Sequence, residues 1–176
     1  INCIDYKTKK ITRFYPKSIN KECTTNIINR LLKHSDGNVY AFCNRSVFKC
    51  SMNQTVETVF PDIAIPSPTY SVAQAPDKDI YIGTESNGLY IYSENWKLKK
   101  HVPIDGIIAT ILPDNNGDIW LGLDETGICL FNKNKQTFTW LHKDNTNLNN
   151  NSIRTFVSYG DSSILVGTFR GLNILN

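Results

Sequence analysis

The feature that most constrains this chain is a motif that recurs along it. At 115–132 the sequence reads NNGDIWLGLDETGICLFN, which is a turn, a short apolar run ending in Gly122, a second turn and a second apolar run. The same pattern returns at 77–92 and, with a shorter second turn, at 161–175, and an eroded copy occupies 36–48. A pattern that recurs in this way is a building unit rather than a single site.

The spacing of the copies indicates the type of repeat. Counted on Tyr40, Tyr81, Trp120 and Leu165, the intervals are 41, 39 and 45 residues. Each copy is made of short β-branched and aromatic runs, without the long 3.6-residue period of a helix. A repeat of about 40 residues built of strands is typical of propeller blades and not of a helical solenoid.

One unit divides into four strands. In 106–147 the apolar runs lie at 107–112, 118–122, 127–131 and 136–141, and turn-forming residues separate them. Four short antiparallel strands joined by hairpins form one blade of a β-propeller. The sequence therefore predicts an all-β fold of about four blade-equivalents.

The same division assigns the whole chain, 1–176, to a single propeller segment. The predicted parts are, in chain order, an outer half-blade at 1–18, a degenerate blade at 19–62, a blade at 63–105, a blade at 106–147 and a partial blade at 148–176. Residues 25–33 also fit a short helix, but their place in the repeat predicts a first strand.

The half-blades at the two ends leave two arrangements open. They can complete each other and close a four-bladed ring, or the chain can be a fragment of a larger propeller. We expect the chain to be a fragment, because a blade face exposed to water loses a free energy of apolar burial comparable to the net stability of a whole domain. Further blades of a longer protein, or a second copy of the chain, are the partners expected to cover these faces.

Composition argues against several other classes. The net charge of +3 comes from 19 basic and 16 acidic residues, and the basic ones are scattered, so no nucleic-acid partner is expected. No apolar run approaches the roughly 20 residues that cross a bilayer, and 1–30 lack the apolar core of a signal peptide. Any targeting or membrane segment is therefore expected outside 1–176. The five cysteines lack metal-site spacing, so neither a metal nor a cofactor is predicted.

The repeat resembles the two-component regulator propeller repeat. At 116–122 the chain has an Asn-Gly turn followed by an apolar-Trp-apolar-Gly strand, and at 127–132 a Gly-led strand with an aromatic residue. The copies at 80–89 and 166–173 match equally well. The Asn-rich stretch 144–153 is similar to the linker that joins blades in that family. The resemblance therefore covers most of the chain.

The resemblance is weaker at 36–50, where the motif is degraded, and at Leu123, which stands where the family usually has Thr. Members of that family are mostly periplasmic sensor regions of hybrid two-component systems in glycan-degrading bacteria. In them, two propellers and an immunoglobulin-like domain precede a membrane segment and an intracellular histidine kinase. The resemblance implies a carbohydrate-responsive sensor, with an oligosaccharide ligand, a periplasmic location and a homo-oligomeric parent protein.

Ligands of propellers usually meet the loops on one face, near the central channel. In this chain those loops include the turns between the second and third strands of each unit. The candidate ligand-binding residues in these turns are Arg45, Glu85, Asn87, Asp124, Glu125 and Arg170. Their side chains are suited to bind sugar hydroxyls or a neighbouring domain; alternatively, the turns are polar only because they are solvated.

Two sets of residues recur once per unit. The aromatic residues Tyr40, Tyr81 and Trp120 are predicted to pack between blades, with sugar stacking as the alternative. The glycines that end the second strand or begin the third are predicted to be structural. They are Gly83, Gly122, Gly167, Gly88, Gly127 and Gly171.

The sequence carries no recognisable catalytic motif. Asp124 and Glu125 are adjacent in a tight turn and point apart, whereas glycoside cleavage needs two carboxylates facing one bond. His34, His101 and His142 belong to no hydrolase or metalloprotease motif. The sequence therefore predicts a non-catalytic segment. A propeller lyase or glycan-active enzyme, and a protein-interaction scaffold, are the alternatives.

Overall fold

The structure is a computed structural model, and it describes residues 1–15, 27–44, 46–51, 55–59, 65–160 and 162–176. These residues form two compact units, Ile1–Thr69 and Tyr70–Asn176, and each is described by itself. Every regular element in the described ranges is a β-strand. Over those ranges we find no helix with the length and apolarity that crossing a membrane requires.

The first unit contains a hairpin and a four-stranded sheet. The hairpin pairs β1 (Asn2–Ile4) with β2 (Ile11–Arg13) in antiparallel register. The sheet has the order β3-β4-β5-β6, with β3 at Arg30–Lys33, β4 at Val39–Cys43, β5 at Ser46–Cys50 and β6 at Val56–Val59. Strand β3 confirms the strand predicted within 25–33 at Arg30–Lys33. Residues 27–29 precede it without regular secondary structure, and residues 25 and 26 lie outside the described residues.

The second unit contains three sheets in which consecutive strands are antiparallel neighbours. The first is β7 (Thr69–Gln74), β8 (Ile80–Thr84), β9 (Leu89–Tyr92) and β10 (Leu98–Val102). The second is β11 (Ile108–Pro113), β12 (Asp118–Leu123), β13 (Gly127–Asn132) and β14 (Thr137–Leu141). The third has β15 (Ile153–Tyr159), β16 (Ser163–Thr168) and β17 (Gly171–Leu175). The predicted all-β class with four-stranded antiparallel blades is confirmed.

The second and third strands of the first of these sheets are its most deeply buried elements. All five residues of β8 and all four of β9 are buried, whereas β10 buries only Val102. Strands that pack on both faces read as continuous apolar runs rather than as an alternation. This explains why IYIGT and LYIY carry no polar face.

Neighbouring sheets of the second unit share apolar cores. One cluster joins the first two sheets; its buried members include Tyr81, Leu89, Ile91, Ile108, Ile119, Leu121 and Phe131. A second cluster joins the next pair through Ile128, Leu148, Ile153, Phe156 and Val166. Cys129 packs in the first cluster, and burial raises the pKa of its thiol to about 12, so it behaves as a small hydrophobic residue.

A glycine near the end of the second strand lets each sheet approach the next. A Cβ at Gly83 would lie 2.6 Å from Cγ2 of Ile108, and a Cβ at Gly122 would lie 2.5 Å from Cγ2 of Ile153. Both isoleucines are fully buried and belong to the first strand of the following sheet. The third glycine, Gly167, faces only Thr155 of its own sheet within van der Waals range.

The glycine that begins the third strand serves a different purpose. Gly127 has a φ of +94°, and a Cβ there would lie 2.4 Å from the carbonyl oxygen of Leu141. An L side chain at this position would be both strained and in collision with the neighbouring strand. The turn between β12 and β13 therefore requires glycine.

We predict that Gly122→Ala destabilises the protein by about 1–3 kcal/mol, because the added methyl collides with the buried Ile153. Gly167→Ala is the matched control. Both glycines lie against a threonine of their own sheet, but only Gly122 also lies against an isoleucine of the following sheet. Urea unfolding midpoints measure both effects, and an equal loss in the two variants would contradict this explanation.

Candidate functional site

Hydrogen bonds within the protein hold the backbone of the predicted ligand-binding turns. In the turn between β8 and β9, Glu85 is exposed and Asn87 is half-buried. The backbone N–H of Asn87 donates to Oγ1 of Thr84 at 2.9 Å, and its carbonyl oxygen lies 2.7 Å from Nε2 of His101. These contacts fix the shape of the turn and leave the carboxylate of Glu85 in solvent.

The turn between β12 and β13 is attached to the start of the following sheet. Arg154 donates from Nη1 to Oδ2 of Asp124 at 2.9 Å. Glu125 has a φ of +68°, and its backbone N–H donates to Oγ of Ser152 at 3.2 Å. The Asp124 carboxylate is therefore engaged by a cation, while that of Glu125 is exposed.

The last turn, between β16 and β17, carries Arg170. Its side chain is exposed, and its backbone N–H donates to Oγ1 of Thr168 at 3.2 Å. The hydroxyl of Thr168 donates to Oδ1 of Asn149 at 2.8 Å. Arg45, the candidate in the first unit, lies outside the described residues.

The side chains of these turn residues are not bonded to one another in the second unit. Across 65–160 and 162–176, no hydrogen bond or ion pair joins the side chains of Glu85, Asn87, Asp124, Glu125 and Arg170 to one another. The asparagines of the 144–153 linker also bind within the protein. Asn145 Oδ1 accepts the N–H of His142, Asn151 Oδ1 accepts that of Lys143, and the Asn151 carbonyl accepts that of Gly127.

The turns between the first and second strands of each sheet lie at the ends of the strands opposite to the turns described above. Two of them contain an aspartate that binds the turn backbone and the following aromatic residue. In the second unit, Asp114 Oδ1 accepts the backbone N–H groups of Asn116 at 2.8 Å and Asp118 at 3.0 Å. Its Oδ2 accepts Nε1–H of Trp120 at 3.2 Å. One carboxylate therefore closes the turn and orients the aromatic residue that follows.

The first unit contains the same arrangement. Asp36 Oδ1 accepts the backbone N–H of Asn38 at 2.8 Å, and its Oδ2 accepts the hydroxyl of Tyr40 at 2.8 Å. Burial acts to raise the pKa of Asp36, but hydrogen bonds from Asn38, Tyr40 and His34 hold it well below its usual range. The aspartate and the aromatic residue thus form a repeated pair.

The turn at 75–79 departs from this pattern. Asp77 binds Nζ of Lys133 instead of the aromatic residue, and Lys133 also lies 2.6 Å from Asp79, which in turn binds Lys99 at 2.6 Å. The hydroxyl of Tyr81 is buried and its proton meets no acceptor within the described part of the chain, while the nearby ammonium group of Lys133 acts on its pKa. Burial raises the pKa of Tyr81 to about 12, so its hydroxyl is neutral at physiological pH.

Two cavities flank the 114–117 turn. The Trp120 cavity, of about 250 Å³, is lined by residues that include Trp120, Asn115, Asn116, Ser158, Leu112 and Ile164. The Tyr81 cavity, of about 260 Å³, is lined by residues that include Tyr81, Asp77, Asn115, Asn116, Lys133 and Asn134. The turn is therefore a wall common to both cavities.

The structure places two of the three repeated aromatic residues, Tyr81 and Trp120, at these cavities as well as in the packing. Tyr81 is fully buried and belongs to the core cluster of the first two sheets, yet it lines one cavity. Trp120 is half-buried; it packs against the second cluster and lines the other cavity. Sequence reasoning did not identify these cavities, although the Asp-to-aromatic pairing that recurs in the turns was a visible signal.

The chemistry of this surface suits binding. Its described lining combines amides, hydroxyls, two aromatic side chains and several aliphatic ones with the Asp77–Lys133 ion pair and the hydrogen-bonded carboxylate of Asp114. Within the described ranges, no group of three or more His, Cys, Asp or Glu side chains is placed to hold a metal ion. Asp77 and Asp114 are both occupied by donors of the protein itself, which leaves neither as a free general base.

Comparison by sequence finds no matching family model and no similar curated protein. Comparison by structure finds the extracellular domains of the hybrid two-component systems BT4673 and BT3049 from B. thetaiotaomicron, with TM-scores of 0.78 and 0.75. The identities are 18% and 24%, over 96% and 99% of this chain and 23% and 24% of those chains.

A third similar structure is virginiamycin B lyase from Staphylococcus aureus with quinupristin. It is 18% identical over 99% of this chain and 61% of the lyase, with a TM-score of 0.68. The chain spans about a quarter of the length of the two-component proteins it matches. The comparison confirms the propeller fold, and it agrees with the resemblance to the two-component regulator propeller repeat.

We predict that Lys133→Gln lowers stability at pH 7 by about 1 kcal/mol, because Asp77 loses its cation while Asp79 keeps Lys99. Burial acts to raise the pKa of Asp77, but the hydrogen bond from Lys133 holds it below the unfolded value of about 4. This stabilisation is therefore complete above pH 4 and disappears as the pH falls through the lower native pKa.

Urea unfolding of both proteins at pH 7 and at pH 3 measures this effect, and we expect the difference between them to shrink at pH 3. Lys143→Gln is the control, since Lys143 is exposed and its side chain makes no ion pair in the described structure. A difference that stays constant between the two pH values would exclude an electrostatic origin.

Proposed function

We propose that this chain is a non-catalytic ligand-recognition segment of the extracellular sensor region of a two-component receptor. The observation that carries the proposal is the shared fold, over at least 96% of the chain, with extracellular domains of two hybrid two-component systems. We further propose a periplasmic location and an oligosaccharide signal. These follow the resemblance of the repeat at 116–122 and 127–132.

The contacts of the candidate carboxylates support a non-catalytic role. Asp124 is paired with Arg154, and Glu125 is exposed in the same turn, so the two do not converge on one point. Acid–base cleavage of a glycoside requires two opposed carboxyl groups with room for the scissile bond between them. The neutral hydrogen-bonding surface around the 114–117 turn fits recognition better than turnover.

A longer protein would supply the membrane anchor and the histidine kinase of such a receptor.

The third sheet of the second unit offers a surface on which a neighbouring blade can pack. Exposed apolar side chains on it are Val157, Tyr159, Leu172 and Ile174. In the first two sheets, an isoleucine of the following sheet covers the corresponding glycine, whereas no isoleucine covers Gly167 in the described structure. We propose that another blade, from the longer protein or from a second copy, covers this face.

A lyase is the second candidate function, and the similarity to virginiamycin B lyase favours it. The two candidates differ in what happens to the ligand. A sensor binds its oligosaccharide and releases it unchanged, whereas a lyase produces an unsaturated product. A scaffold that binds only proteins is a third alternative.

We predict that the full-length receptor drives a transcriptional reporter in response to an oligosaccharide that the isolated chain binds without altering. Mass spectrometry of the ligand after prolonged incubation tests for turnover. A response with intact ligand supports the sensor. Recovery of an unsaturated product, and its loss in Asp124→Asn/Glu125→Gln, would instead establish an enzyme.

We also predict that the isolated chain self-associates through its third sheet. Light scattering should give a mass above 20.0 kDa, and Leu172→Lys/Ile174→Lys should return it to the monomer mass by charging the exposed face. Leu98→Lys, at an exposed leucine of the outer strand β10, is the control. A compact monomer at high concentration with one sharp unfolding transition would contradict the prediction.

A further inference from the structure

We propose that the Trp120 cavity and the Tyr81 cavity are adjacent subsites for one neutral oligosaccharide, which crosses the 114–117 turn. This inference rests on the proposed sensor function, and it locates the ligand at the opposite ends of the strands from the turns that sequence reasoning selected. Of the predicted ligand-binding residues that the structure describes, none lines either cavity.

The Trp120 cavity combines an aromatic ring with unpaired amides. Trp120 is half-buried, and its indole N–H is already bound to Asp114, so the ring is fixed in orientation. The side-chain amides of Asn115 and Asn116 are exposed and make no hydrogen bond within the described part of the chain. An ordered aromatic ring beside free amides presents an apolar surface and hydrogen-bonding groups at once. A sugar ring has the matching combination of C–H faces and hydroxyls.

The Tyr81 cavity contains a buried donor without an acceptor. The Tyr81 hydroxyl is neutral, its proton meets no acceptor within the described residues, and its side chain lines the cavity. The ammonium group of Lys133, which acts on the pKa of Tyr81, can only donate to this hydroxyl. A buried donor without an acceptor costs free energy that a ligand oxygen can recover by accepting its hydrogen bond. Asp77, which is about half exposed, adds a carboxylate acceptor to the same cavity, and Asn134 adds a side-chain amide.

The charges around the cavities favour a ligand without net charge. Lys133 is held by two carboxylates, and Lys99 compensates the second of them. Asp114 already accepts hydrogen bonds from three donors of the protein. A phosphate or sulfate would find no unpaired cation in the described lining, and a cation would compete with the lysine already bound. Hydroxyl groups, which both donate and accept, fit this lining.

The dimensions favour one ring in each cavity. Volumes of about 250 and 260 Å³ lie just below the range of about 300–1,000 Å³ of pockets for drug-sized ligands. They are several times the ~30 Å³ of one water molecule in the liquid. Since Asn115 and Asn116 line both cavities, one ligand can place successive rings on either side of the turn.

The experiment is a titration of the full chain with four neutral tetrasaccharides: cellotetraose, maltotetraose, xylotetraose and mannotetraose. Tetragalacturonate is the charged comparator. The indole N–H signals of Trp96, Trp120 and Trp140 are followed by NMR, and Trp120→Phe assigns the signal of interest. We expect at least one neutral tetrasaccharide to shift the Trp120 signal selectively and to bind more tightly than tetragalacturonate.

Two conservative variants test the lining. Tyr81→Phe removes only the buried hydroxyl, and Asn116→Ala removes an exposed amide shared by both cavities; we expect each to weaken binding about tenfold. Tyr90→Phe is the matched control, because Tyr90 is a buried tyrosine of the same sheet that lines neither cavity. Glu85→Ala controls for the turns at the other ends of the strands. Both controls should bind as the unmodified chain does.

Several results would overturn the proposal: no Trp120 shift with any neutral probe, tighter binding of tetragalacturonate, or unchanged affinity in Tyr81→Phe and Asn116→Ala. If the full-length receptor still responds to a tetrasaccharide in those cases, the site is wrong and the sensor function stands. If the site binds as expected but the receptor does not respond, the sensor function is wrong and the site stands.

Discussion

The second unit depends on a contact between an isoleucine and a glycine of the preceding sheet. Ile108 on Gly83 and Ile153 on Gly122 bring the sheets close enough to share their apolar cores. The sheets can therefore be apolar on both faces, which explains the absence of polar alternation in β8 and β9. These contacts lie near the ends of the second strands. The cavities lie near their beginnings, where the turns are held by aspartate.

The architecture was predictable because its signals are local and periodic. A turn of Asp, Asn and Gly, an apolar run and a terminal glycine recur about every 40 residues, and the short β-branched and aromatic runs within that period indicate strands. The strand assigned at 118–122 is found at Asp118–Leu123, and the one assigned at 127–131 at Gly127–Asn132. Even at 25–33, where a helix also fitted the sequence, the place in the repeat correctly predicted a strand, which the structure shows at Arg30–Lys33.

The candidate site was less accessible to sequence reasoning because its contacts join distant parts of the chain. Lys133 binds carboxylates 54 and 56 residues earlier, and no periodic pattern marks that pairing. The role of an aromatic residue is equally ambiguous in sequence. Trp120 and Tyr81 occupy one repeat position. The first is half-buried and its N–H is bound, whereas the second is fully buried and its hydroxyl proton meets no acceptor in the described residues. Recurrence predicted packing and could not indicate that the same rings line cavities.

The common wall between the cavities has a consequence for selection by ligand length. For a chain molecule anchored in one cavity, reaching the other is an intramolecular event. Its probability is set by an effective local concentration rather than by the concentration in bulk solvent. A short linear ligand with successive rings on both sides of Asn115 and Asn116 would gain avidity that a single ring cannot reach. Such a surface would bind longer chains in preference to shorter ones. Free monosaccharides would then compete poorly with the longer ligand for the two cavities, even at high concentration.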